Sequence, residues 1–139
     1  MRFLSFATLL FTILVVAQVQ PKAPTAARPF LGHWYSTFEG RNFMDIDLWD
    51  TDPLSGHIKT GDIEVNAGGK LLAVQEGESD DYTLMDVKLS EGKLTFRTRD
   101  DDGDVASFEM KLNPDGKSVL WIRVEGVAIQ PLDSYAFIV

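Results

Sequence analysis

From residue 30 onward the chain is punctuated by glycine-bearing turns at short intervals, and these turns limit what it can fold into. Ser90-Glu91-Gly92, Asp101-Asp102-Gly103-Asp104 and Asn113-Pro114-Asp115-Gly116 each separate two β-prone runs, and Asn66-Ala67-Gly68-Gly69 separates another pair. Asp-Gly and Pro-Asp-Gly supply the positive backbone angle at glycine that tight hairpins need. The runs between them are Gly32 to Phe38, Phe43 to Trp49, Gly56 to Val65, Lys70 to Gln75, Tyr82 to Leu89, Lys93 to Arg99, Lys117 to Val124 and Ser134 to Val139. No amphipathic stretch of helical length lies among them, so the expected class is all-β.

Short consecutive connections make sequence neighbours into sheet neighbours. Residues 30–139 should therefore form an up-and-down antiparallel meander of eight or nine strands. A sheet of that size closes on itself or folds into two layers, because exposed edges invite pairing with other chains. Alternation on most runs predicts a barrel, with a β-sandwich as the alternative. The run Lys117 to Val124 departs from that alternation: Val119, Leu120, Trp121, Ile122 and Val124 make both of its faces apolar. Its outer face should then be covered, by the N-terminal arm or by a partner subunit.

The N-terminus reads as an address. Arg2 precedes an apolar run from Phe3 to Ala17, and Val15-Val16-Ala17 offers a small-residue cleavage site. Residues 1–17 are expected to be a secretory signal peptide, since the run is shorter than the ~18–20 apolar residues of a spanning helix. The protein would then be secreted or periplasmic, with no stable membrane anchor after cleavage. Residues 18–29 are rich in Pro and Ala and should form a flexible arm. The chain has no cysteine, which removes disulfides, thiolate zinc sites and cysteine nucleophiles. A net charge of -8 argues against nucleic acid as a partner.

Phe30-Leu31-Gly32-His33-Trp34, opening the first strand, resembles the Gly-x-Trp start of the lipocalin and fatty-acid-binding (calycin) barrels. The resemblance implies that Trp34 plugs one end of a barrel while a basic residue from a late strand lies across it. Arg123, on the otherwise apolar penultimate strand, is the candidate for that residue. The aromatic residues suggest a small apolar or amphipathic ligand inside, if the interior is unfilled, with Trp34, Phe38, Phe96 and Trp121 lining the apolar part and Arg123 meeting an acidic head. Ser36, Thr83 and Thr98 would add polar groups if their faces are inward. The chain departs from the family in three ways: no helical lid joins its second and third strands, only Glu125 to Asp133 is available for the usual late helix, and the paired Arg and Tyr that hold a fatty-acid carboxylate have no matching motif here. The competing reading is a solid barrel acting as an interaction or structural module, or as a homodimer, through Val119–Val124 and Phe137-Ile138-Val139.

Two acidic groups invite other chemistry. Thr98 to Glu109 reads as a calcium loop with Gly103 sixth and with Asp100, Asp102, Asp104 and Glu109 at ligand positions. The same residues read equally as a solvated hairpin tip followed by an outward-facing glutamate. Asp45 and Asp47 share one strand face, either as paired carboxylates or as the wet side of an amphipathic strand. His33 and His57 are the only histidines and have no ligand or triad spacing; no nucleophile elbow or zinc-helix motif occurs. The expectation is a non-enzymatic protein without a cofactor, calcium excepted.

Overall fold

The strands follow the turns. The computed structural model describes residues 22–75, 79–124 and 126–136. These form one 3-10 helix, Thr25–Phe30, and twelve strands. They are β1 (Gly32–Phe38), β2 (Arg41–Trp49), β3 (Ser55–Thr60), β4 (Ile63–Val65), β5 (Leu71–Val74), β6 (Asp80–Thr83), β7 (Met85–Ser90), β8 (Lys93–Arg99), β9 (Val105–Leu112), β10 (Lys117–Val124), β11 (Val127–Ala128) and β12 (Leu132–Ala136). The protein is all-β, and every strand pairing is antiparallel.

The main sheet has the order β6, β3, β2, β1, β12, β10, β9, β8, β7, with β11 beside β10. Hairpin β4–β5 stands apart as a two-stranded sheet. The expected meander is therefore present. The β7–β8 connection shows the turn chemistry at work: Glu91 and Gly92 have φ of 52° and 76°. Both central residues lie in the left-handed region, as a two-residue turn between twisted strands requires.

Three expected runs divide or end differently. Gly56 to Val65 breaks at Gly61-Asp62, so that β4 leaves the main sheet. Tyr82 to Leu89 becomes β6 and β7, separated by Leu84 alone. Here the chain exchanges partners: Thr83 pairs with His57, the Leu84 N–H donates to the Gly56 carbonyl at 3.1 Å, and Met85 already pairs with Arg97. One nearly continuous stretch thus supplies both ends of the strand order. The last strand ends at Ala136 within the described residues; Phe137-Ile138-Val139, like the signal segment 1–17, lies outside them.

The register gives the sheet two ends. The base carries the start of β1 and the ends of β2 and β7, and the rim carries Phe38, Thr60, Asp80, Arg99, Val105 and Val124. Leu48, Trp34, Leu94, Met110 and Leu120 fill the buried face toward the base. Phe96 and Phe108 stack across β8 and β9, ring centres 4.9 Å apart. The helix closes the base, where the Trp34 indole N–H donates to the Phe30 carbonyl at 2.7 Å. Ala27 and Phe30 are buried and the Ala23 N–H donates to Asp50. The described part of the arm therefore packs onto the fold, because Phe30 brings a large apolar side chain to an open sheet end.

Candidate functional site

Interior side chains fill the base more completely than the rim. At the rim a cavity of about 420 Å³ lies among inward residues of six strands: Met44 of β2, Ile58 and Thr60 of β3, Tyr82 of β6, Thr98 of β8, Ala106 and Phe108 of β9, Ile122 and Val124 of β10. Gly61-Asp62-Ile63, leading into β4, border it. Phe108, Ile58 and Ile122 sit at mid-strand and form its deep surface, Tyr82 stands directly opposite Ile58, and Thr60, Thr98 and Val124 stand nearer the rim. Thr98 is only 6% exposed, yet its hydroxyl has no hydrogen-bond partner among the described residues. A volume of this size, apolar with a few polar groups, suits a small molecule.

Beside the cavity the wall is split. β7 pairs with β8 from Met85 downward, but on the rim side β6 pairs only with β3. The gap between β6 and β8 opens into a basin of about 710 Å³ lined by Asp62, Asp80, Asp81, Asp100, Asp101 and Asp102, with Arg99 among them. Tyr82 and Asp62 border both spaces, so the basin adjoins the cavity. The Tyr82 hydroxyl donates to Asp80 at 3.3 Å. Burial raises its pKa first, and the carboxylates of Asp80, Asp100 and Asp62 raise it further by opposing a phenolate.

Of the expected ligand residues, Trp34 and Phe96 are buried on the inner face and neither lines the rim cavity: Trp34 lies toward the base, and Phe96, opposite Phe108 at mid-strand, borders instead the groove that Trp121 and Arg123 line. Phe38 is half-buried at the rim, after a register shift between Ser36 and Thr37 that ends the alternation from Trp34. Trp121, 36% exposed, and Arg123 point outward, because Leu120 and Ile122 take the inner face of β10. Arg123 stands opposite Ala128 and lines an outer groove of about 580 Å³ with Trp121, Asp86, Lys88 and Arg97. It is thus neither stacked on Trp34 nor available to a ligand head inside. Thr83 is exposed, and Ser36 is buried. Ser36, Ser134 and Ser118 fall in one cross-strand row over β1, β12 and β10, all fully buried. Among the described residues the Ser36 and Ser118 hydroxyls have no hydrogen-bond partner.

The proposed calcium ligands do not converge. The Asp100 carboxylate accepts the Asp104 N–H at 2.8 Å and closes the hairpin tip. Glu109 lies four residues beyond Val105 on β9, roughly 13 Å along the strand, and pairs with Lys93 at 3.2 Å. Among the described residues no group of three His, Asp or Glu side chains is placed to hold a metal.

A second polar cluster lies on the outer face of β1, β2 and β3. His33 Nδ1 is 2.7 Å from Asp47 and its Nε2 is 3.0 Å from Asp45, while His57 Nε2 is 3.3 Å from the other Asp47 oxygen. Asn42 also donates to Asp45 at 2.9 Å. The two aspartates are the wet side of β2, as one of the expected readings had it. The histidines join them only through strand register: His33 and His57 both stand opposite Asp47.

No family model matches the chain, and no curated protein matches it.

Proposed function

We propose that the sheet closes as an eight-stranded barrel, lipocalin-like in outline, that binds a small apolar or amphipathic molecule at its rim. Closure is supported by the strand order: the two end strands, β6 and β7, are one stretch of chain joined through Leu84. Counted as a single strand, that stretch pairs with β3 through its first half and β8 through its second. Each main strand then has two neighbours, apart from the slot between β6 and β8 at the rim. The reading of residues 1–17 as an export signal puts this binding outside the cytoplasm. The observation that carries the function is the rim cavity, apolar at depth and bearing the unpartnered Thr98 hydroxyl.

The test is a titration with the neutral apolar fluorophore N-phenyl-1-naphthylamine. Emission should rise to saturation with a Kd on the order of micromolar. Ala106 lines the cavity opposite Thr98, so Ala106→Trp should fill the space and weaken binding by about tenfold or more, with an unchanged far-ultraviolet dichroism spectrum. Trp121→Ala, on the outer groove, should leave binding as it was. No saturable binding, or binding lost in Trp121→Ala and kept in Ala106→Trp, overturns the cavity reading. The latter result favours the interaction module built on the exposed face of β10.

A further inference from the structure

The polarity of the entrance narrows the ligand, if the cavity binds one. We propose that the occupant is an amphipathic organic cation, an alkyl or aryl ammonium, whose apolar part lies on Phe108 and Ile122 and whose charged head sits in the slot between β6 and β8. This inference rests on the cavity reading and adds the sign of the ligand's charge.

Three observations support it. First, six aspartates line the slot against one arginine. None of the six lies within ion-pair distance of a basic side chain among the described residues. A concentration of like charge at a concave site attracts counter-ions and repels a carboxylate or phosphate head. Arg123, the residue that would meet an acidic head, stands on the outer face. Second, the Tyr82 ring stands where slot and cavity meet. A half-buried aromatic flanked by carboxylates suits an ammonium group, which gains from the ring face as well as from the charges. Burial first, and then the carboxylates of Asp80, Asp100 and Asp62, raise the pKa of the Tyr82 hydroxyl, so the field beside the ring is negative. Third, the Thr98 side chain, 6% exposed, lines the cavity, and its hydroxyl, without a partner among the described residues, can accept an ammonium N–H. An anion would find no basic group among the residues lining the cavity.

The chain's overall negative charge favours any cation weakly, so the experiment must separate the local field from the global one. Decylammonium, decanol and decanoate, each below its micelle concentration, compete against bound N-phenyl-1-naphthylamine at low salt. Decylammonium should displace the fluorophore about tenfold more tightly than decanoate, with decanol between. The preference should fall to about threefold or less in Asp80→Asn/Asp100→Asn, which removes two slot charges. It should persist in Asp115→Asn/Asp133→Asn, which removes two charges away from the slot. Decanoate binding as tightly as decylammonium, or an equal loss of preference in both double variants, overturns the cation assignment and leaves the cavity standing. If the fluorophore does not bind at all, both readings fall together. A slot variant that binds decanol as before is folded, so its altered preference reports charge alone.

Discussion

His33 shows how two neighbouring strands can retune a single side chain. Partial burial by itself would lower its pKa, but Asp47 and Asp45 face its two ring nitrogens and raise it above the ordinary imidazole value. A group whose folded pKa exceeds its unfolded one contributes stability that is complete below the unfolded value, about 6.5. That contribution is lost as pH rises through the folded value. The unfolding midpoint of the protein should therefore fall between about pH 6 and pH 8, and the fall should be smaller in His33→Gln. Because His33 is about one-third exposed, the difference should be small, about 0.2–1 kcal/mol. Identical pH slopes in the two proteins would show that the pair adds nothing. A residue-scale effect of this kind depends on which side chain faces which across a ladder. His33 and Asp47 are fourteen positions apart in the chain, and no spacing rule joins them.

Hairpin β4–β5 connects distant parts of the fold at the rim. Its turn meets the segment after β11: the Gln130 N–H donates to the Gly69 carbonyl at 2.9 Å, and the Ile129 N–H donates to Ile122 at 2.8 Å. Gly69 has φ of 80° and packs directly on the Ala128 carbonyl, where a methyl group would collide with backbone. Gly69→Ala should detach the turn, destabilise the protein by about 1–3 kcal/mol, and speed hydrogen exchange at Gln130 ahead of the main sheet. If exchange at Gln130 is unchanged, the hairpin is held by Leu71 and its other apolar contacts instead. The hairpin itself was legible in Asn66-Ala67-Gly68-Gly69, as were the other turns, because their glycine chemistry is local. What β4–β5 leaves the main sheet to touch was not legible, nor was the exchange of partners at Leu84, since both depend on residues far away in the chain. The cavity was legible only at Thr98. On β10 the outward direction of Trp121 and Arg123 was hidden because both faces of that run are apolar; packing against Met110 and Phe108 decides which face turns in.

Across the whole molecule, charge acts on folding and on binding with opposite signs. The chain carries -8, and its rim gathers six aspartates around one slot, so the folded state includes a repulsion that an expanded chain relieves. Sodium chloride screens that repulsion, because the Debye length falls from roughly 14 Å at 0.05 M to about 4 Å at 0.5 M. The same screening weakens attraction between the slot and an ammonium head. Raising sodium chloride over this range should lift the unfolding midpoint by roughly 2–4 °C while loosening decylammonium and leaving decanol nearly unchanged. A calcium arm at matched ionic strength separates screening from coordination. Because Asp100 is engaged by the Asp104 N–H and Glu109 by Lys93, calcium should stabilise no more than sodium does. A midpoint that rises further in calcium would mean that the hairpin tip rearranges around a bound ion, as its spacing alone would suggest. A midpoint that falls with sodium chloride would mean that attractive pairs such as His33–Asp47 outweigh rim repulsion, and that the slot's field is too weak to select a cation.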